Sequence, residues 1–387
     1  MKSKPHIAVI GAGAFGGWTA LHLIERGARV TLVDAWGPGN SRSSSGGETR
    51  IMRGTYGPDQ PYTELAARSL KLWQKYERRW RRTLLHRTGV LWMVSDSDET
   101  FERGSIEMLK QARIKFEELS AAKMKNRWPQ INFAGVRWGI LERECGYLEA
   151  RASCQAVVEA FIAQGGEYRQ AEVLPEGLET FPLRALQLSD KSFSGKQSFD
   201  TSKLKADIYI FACGPWLGKL FPQTIGDLIR ATKQDVFFFG TPAGDPRFTD
   251  THLPVWADHG DRFIYSIPGN DHRGFKVADD TRGPVFDPTS GERIISGETL
   301  RIVRDYIAFR FPALKNAPLI ESRVCQYEQT PDGNFIVDRH PRMENVWLLG
   351  GGSGHGFKHG PGLGEMMAEL ILGENERNGR WRLSRFS

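Results

Sequence analysis

The chain opens on a short apolar block, His6 to Ile10, closed by glycine, the pattern of a strand buried on both faces of a parallel sheet. Trp18, Leu21, Leu23 and Ile24 then recur at helical spacing until Gly27 stops the run. Ala28 to Val33 is a second apolar strand and ends at Asp34. Further helices are predicted at Tyr62 to Trp80, Phe101 to Lys115, Ala152 to Gln164, ended by Gly165-Gly166, and Leu300 to Phe309. Strands are predicted at Gly89 to Val94, Ala206 to Ala212, Phe237 to Phe239, Phe263 to Ile267, Gly274 to Val277, Ile336 to Val337 and Val346 to Leu349. Ser41 to Gly47 reads as a polar loop, and a last helix begins near Gly362.

No internal repeat is visible. The opening strand-helix-strand, the strand before Gly214 and the strand before Gly350 suit one sheet, so the expected class is α/β, with an α+β second domain. A length of 387 residues suits about two domains. The division expected is a nucleotide domain from residues 1-88, 150-229 and 326-387, and a substrate domain from 89-149 and 230-325, built on an antiparallel sheet with helices. The ligand site then falls in the cleft between them.

Composition adds little against this. A hydrophobic share of 40% with 25% charged residues suits a soluble chain with a full core, and a net charge of +6 permits acidic partners without requiring them. The densest basic run, Arg78-Arg79-Trp80-Arg81-Arg82, belongs to no nucleic-acid module and reads as a solvated helix face. Cys145, Cys154, Cys213 and Cys325 form no C-x-x-C pair, so no disulfide framework is expected. Ile7 to Ile24 is apolar, but its glycines, His22 and the following Glu25 and Arg26 set it apart from a targeting or spanning segment. A cytoplasmic protein without membrane or nucleic-acid contact is expected.

Gly11-Ala12-Gly13-Ala14-Phe15-Gly16 stands between the first strand and the first helix. There Gly11 makes the tight turn, Gly13 admits a pyrophosphate close to the backbone, and Gly16 lets helix and strand pack. The helix N-terminus offers free N–H groups to the phosphates. Asp34, 21 residues past Gly13, is placed to accept ribose hydroxyls. This fingerprint signals a dinucleotide and does not by itself choose between NAD and FAD.

Other motifs choose. Gly47-Glu48-Thr49-Arg50-Ile51-Met52-Arg53 with Tyr56-Gly57, Cys213-Gly214-Pro215-Trp216, and Cys325-Gln326-Tyr327 with Thr330-Pro331-Asp332 follow one another along the chain. So do Phe335-Ile336-Val337-Asp338 and Ser353-Gly354-His355-Gly356-Phe357-Lys358. In these motifs, from Ile7 to about Leu372, the chain resembles the monomeric sarcosine oxidase, N-methyltryptophan oxidase and pipecolate oxidase family, FAD-dependent amine oxidases on the D-amino acid oxidase type of fold. The resemblance implies FAD held by Gly11, Gly13, Ala14, Phe15, Gly16, Asp34, Ala35, Trp36, Ser45, Thr49, Arg50, Val173, Gly214, Trp216, Gly354, His355, Gly356, Phe357 and Lys358. It implies a thioether from Cys325 to the flavin, with Tyr327 beside it. It implies that Arg53 and Lys358 hold the substrate carboxylate, Lys276 promotes reaction with oxygen and Arg50 lies near the flavin ring. Taken singly, Cys325 reads equally as a small buried apolar residue, Arg53 as a surface ion pair, and Lys276 and Lys358 as solvated lysines.

Two positions depart from the sarcosine oxidases. Gly46 and, by an ungapped count, Asp280 stand where that family carries histidines, while Tyr265 falls on a pocket tyrosine. His355 and His359 are four apart but lack a third ligand, so no metal is expected. The expected activity is oxidation of the C–N bond of an amino acid or N-substituted (N-methyl or cyclic) amino acid to an imine. Dioxygen would be reduced to hydrogen peroxide, and the protein would be a monomer or weak homo-oligomer. The alternatives are a flavin dehydrogenase with another acceptor, a tailoring oxidase of a cyclic imino acid in secondary metabolism, and a non-catalytic FAD-bound subunit of a larger complex.

Overall fold

The computed structural model describes residues 5–95, 98–178, 181–190, 201–260, 262–269, 273–374 and 379–387. One eight-stranded sheet runs in the order Thr201–Leu204, Leu186–Asp190, Glu167–Val173, Arg29–Asp34, His6–Ile10, Ile208–Phe211, Met343–Gly350, Ile336–His340. Its centre is parallel: Ile7 pairs with Val30 on one side and Ile208 on the other, and Tyr209 pairs with Val346. The opening, middle and C-terminal strands therefore share one sheet, as the sequence predicts. Its central strands are mostly apolar because both faces are covered. The helix Ala14–Glu25 packs on the helix Gly360–Leu372, where a Cβ on Gly364 would sit only 2.6 Å from the Trp18 backbone. Trp18 and Trp73, both fully buried, meet edge to face at 5.1 Å under this pair.

A second eight-stranded sheet runs Leu319–Gln329, Arg230–Phe239, Phe275–Asp279, Phe263–Ile267, Val255–His259, Val90–Val94, Trp138–Glu142, Phe116–Ser120. Every adjacent pair is antiparallel except Val255–His259 with Val90–Val94, which is parallel. A small sheet, Thr49–Met52, Gly146–Glu149 and Leu85–His86, carries Arg50 on its first strand.

Several elements differ from the sequence expectation. The helix foreseen to Lys115 is Thr100–Gln111, because Arg113 takes a left-handed φ of 58° and the strand Phe116–Ser120 follows. The helix foreseen from Tyr62 starts at Gln60: the Asp59 side chain accepts the Tyr62 N–H, and Pro61 suits the first turn. The last helix starts at Gly360 rather than Gly362. Glu167–Val173 mixes polar with apolar positions and has no clear period, so it escapes the pattern. In the basic run, Arg81 ends its helix with φ 53°, while Arg79 pairs with Glu25 and Arg82 with Glu159 at 2.8 Å. Among the described residues, no helix is long and apolar enough to cross a membrane.

Candidate active site

An outer cavity lies along the ends of the parallel strands. Gly11, Gly13, Ala14, Phe15, Asp34, Ala35, Trp36, Ser45, Arg50, Val173, Gly214, Trp216, Tyr327, Gly354, Gly356 and Phe357 line it. Gly11 has φ 107°, and a side chain there would overlap the Ala212 carbonyl oxygen, so only glycine permits this turn. Gly16 lies outside the lining and acts in packing: a Cβ there would strike the Gly11 carbonyl. The helix that follows has no side-chain cap at Gly13 and no acid in its first turn, and Ser45 Oγ takes the Ala14 N–H at 3.1 Å. An N-terminus with no cap from Gly13 itself, and only Ser45 at its first N–H, suits a pyrophosphate. Asp34 is braced by its own loop, accepting N–H groups of Ala12 (2.8 Å), Trp36 (2.8 Å) and Gly37 (2.7 Å). Of the two Asp34 oxygens, Oδ2 keeps the more free acceptor capacity toward the cavity.

An inner cavity adjoins it. Arg50, Tyr327, Gly354 and Phe357 line both, and Arg53, Tyr265, Asp280, Cys325, His355 and Lys358 line the inner one. Cys325, on the strand Leu319–Gln329, lies 3.3 Å from an Arg50 nitrogen that also donates to Ser44 O at 2.7 Å. Thr49 borders neither cavity but holds Lys276, whose Nζ donates to Thr49 O at 2.8 Å. Lys276 is 3% exposed, and burial, aided by the Arg50 charge, pulls its pKa well below the ordinary lysine value.

Arg53 donates to Thr55 O and lies over the Tyr56 ring at 4.4 Å. Lys358 Nζ donates to Tyr56 Oη and to His355 O, both at 2.7 Å. Burial, then the neighbouring Arg53, draws the Lys358 pKa well down. His355 and His359 turn their rings to Tyr56, with ring nitrogens 3.2 and 2.7 Å from its hydroxyl. Burial holds the pKa of both imidazoles down, His355 to about 3. The spacing of four thus serves a tyrosine-centred hydrogen-bond cluster. Among the described residues, no group of three or more His, Cys, Asp or Glu is placed to hold a metal.

Asp280 borders the inner cavity with this basic pair. Tyr327 donates to its Oδ1 at 2.5 Å, and burial pushes its pKa up to about 6 against the pull of Tyr327, Arg53 and Lys358. Sequence reading noted Asp280 only as a departure from a pattern. It missed Glu142 altogether: this fully buried carboxylate accepts the N–H groups of Gly54 (2.6 Å) and Thr55 (3.1 Å) and the Thr55 hydroxyl (2.5 Å), fixing the turn after Arg53. It also missed Glu328, a buried acid in the outer cavity. The available signal was a carboxylate at the inward position of an alternating strand, after Val324 and Gln326.

Comparison with known proteins agrees with this fold. The chain is 28% identical over 378 residues to the monomeric sarcosine oxidase of Bacillus sp. (strain B-0618), covering 96% of this chain and 93% of that one. It is 25% identical over 397 residues to the N-methyl-L-tryptophan oxidase of Salmonella typhi, covering 99% and 100%. The structure of L-proline dehydrogenase from P. horikoshii superposes with a TM-score of 0.82 at 22% identity, over 97% of this chain and 96% of that one, which shows the shared fold. The family model described as FAD dependent oxidoreductase (DAO) matches residues 6–370, and the chain belongs to that family.

Proposed function

We propose that the protein oxidises the C–N bond of an amino acid or N-substituted (N-methyl or cyclic) amino acid to an imine, with dioxygen as acceptor and hydrogen peroxide as product. The observation that carries this reading is the inner cavity: Arg53 and Lys358 border it together with Asp280, directly beside the cavity lined by the dinucleotide fingerprint. The relatives named as sarcosine and N-methyl-L-tryptophan oxidases support the substrate class.

Gly11, Gly13, Ala14, Phe15, Asp34, Trp216, Gly354, Gly356 and Phe357 would hold FAD, which when bound would supply the hydride acceptor. Arg53 and Lys358 clamp the substrate carboxylate, a fork and a point charge on one anion. That anion also relieves the mutual repulsion of the half-buried Arg53 and the buried Lys358. Asp280 accepts the amine N–H, so the carbon between carboxylate and amine is held at one place and angle. Tyr327 fixes the Asp280 carboxylate by its hydrogen bond. Lys276, held on Thr49, would promote reaction with oxygen by its positive charge, and Arg50, which borders both cavities, would lie near the flavin ring. Cys325 would hold FAD by a thioether to its methyl carbon, the thiol and the methyl group each losing a hydrogen and the flavin itself taking up the electron pair, which oxygen then removes. The units 1-88, 150-229 and 326-387, and 89-149 and 230-325, are the FAD and substrate domains of this scheme, and the active form is a cytoplasmic monomer or weak homo-oligomer.

The test is anaerobic mixing of the yellow protein with sarcosine, N-methyl-L-tryptophan, L-pipecolate, L-proline and primary amino acids. Rapid bleaching by N-substituted members, followed by peroxide formation on admitting air, is expected. No bleaching by any amino acid sinks the reading. Bleaching without reoxidation in air replaces the oxidase by a dehydrogenase.

A further inference from the structure

We infer that Glu328 is a cofactor-positioning residue whose carboxylate accepts a hydroxyl of the ribityl chain of FAD. Glu328 sits on the strand Leu319–Gln329, 6% exposed, and borders the outer cavity. The Gly352 N–H reaches its Oε2 at 3.4 Å and the Gly351 backbone also bears on the carboxylate, while Oε1 has no hydrogen-bond partner among the described residues. No ion pair reaches it among the described residues, and burial pushes its pKa up to about 7. A buried acid left this way costs stability unless a donor completes it.

Its place along the cavity identifies the donor. Asp34, Ala35 and Trp36 mark the adenosine end, and Gly11, Gly13 and the N-terminus of Ala14–Glu25 mark the phosphates. Arg50, Tyr327 and Gly354, shared with the inner cavity, mark the ring. Glu328 follows Tyr327 directly and lies against Gly352, which itself approaches Phe15 of the fingerprint. It therefore faces the stretch between phosphates and ring. Phosphates repel a carboxylate and cannot donate to it. The ribityl chain is neutral and carries hydroxyl donors at that place. The inference rests on FAD filling the outer cavity, and not on the tether or the substrate.

The experiment uses the Cys325→Ser chain, so that loading is reversible, and measures dissociation constants for FAD and for FAD analogues lacking one ribityl hydroxyl. In that parent, removal of one particular hydroxyl weakens binding about 10-fold or more, the worth of a hydrogen bond to a charged group. Glu328→Ala is expected to weaken FAD by a similar factor, no longer to distinguish that analogue from FAD, and to melt no lower than the parent without cofactor. Glu328→Met, which fills the volume without an acceptor, gives the same comparison if the alanine variant does not fold. Unchanged FAD affinity in both variants overturns the proposal. So does equal weakening toward FAD and every analogue, which marks a merely structural role. A parent that binds neither FAD nor any analogue overturns the placement of FAD in the cavity and the proposal with it.

Discussion

Tyr327 and Asp280 share a hydrogen bond of 2.5 Å across the wall between the two cavities, the tyrosine bordering both and the aspartate only the inner one. The outer and inner cavities are thus joined by one proton. With the Asp280 pKa held up to about 6, its charge changes within the range where most enzymes are assayed.

The first prediction concerns that charge. Asp280 must be ionised to accept the substrate N–H, so kcat/KM falls as pH drops through about 6, and Asp280→Asn removes this acid limb while lowering the plateau. Stability follows the opposite sense. The folded pKa lies above the unfolded value, so the folded chain holds a proton that the unfolded chain releases between about 4 and 6. The contribution is fully present below the unfolded pKa and is lost as pH rises through the folded one. Melting curves of wild type and Asp280→Asn from acid to neutral pH should converge at low pH and separate above it, with the variant higher.

Removing one arm of the carboxylate clamp should act mainly on binding. Lys358→Met or Arg53→Met is expected to raise KM for an amino acid by roughly 30-fold or more, about 2 kcal/mol for a lost charged hydrogen bond. An amine substrate without a carboxylate is the control. If it suffers equally, the pair does not hold a carboxylate.

Glu142 makes a prediction of another kind. It never touches the cavity, yet three donors of Gly54 and Thr55 converge on it. Glu142→Ala leaves buried N–H groups without partners and should cost about 3 kcal/mol. A clear drop in melting temperature, with KM raised through a displaced Arg53, is the expected result. Unchanged melting would show that the turn is held elsewhere.

For Cys325, the check is acid precipitation. Yellow colour staying in the pellet, and released in Cys325→Ser, is expected of the tether. Colour released from wild type removes the tether and leaves FAD in place.

Much of this molecule is legible in the chain because glycine and hydrophobic spacing have local causes. Gly11 takes a left-handed φ of 107° and Gly16 is forced by the nearby Gly11 carbonyl, so the opening unit reads directly from its residues. The strand Ile208–Phe211 is apolar on both faces and reads as plainly. The strand Glu167–Val173 does not, because its partners, Arg29–Asp34 and Leu186–Asp190, lie in distant or unpatterned stretches. The site divides in the same way. Arg53 and Lys358 are visible through their motifs, whereas Glu142 is isolated in sequence from the turn it braces, and Glu328 looks like any polar residue of an edge strand until its neighbours are known.

The three-piece parallel sheet also sets a timetable. Ile208–Phe211 has His6–Ile10 on one flank and Met343–Gly350 on the other, so the central strand stays bare along one edge until almost the whole chain has been synthesised. Closing such distant pairs slows folding more than it weakens the finished fold. During that interval the growing polypeptide presents an unsatisfied apolar edge to its surroundings, where a chaperone or another unfinished copy can bind. The wall formed by Leu349, Gly352, Gly354, Gly356 and Phe357 arrives last. The cofactor groove is consequently a late product of assembly, and a ribosome that stalls before this segment yields a chain with the fingerprint in place and no closed groove around it.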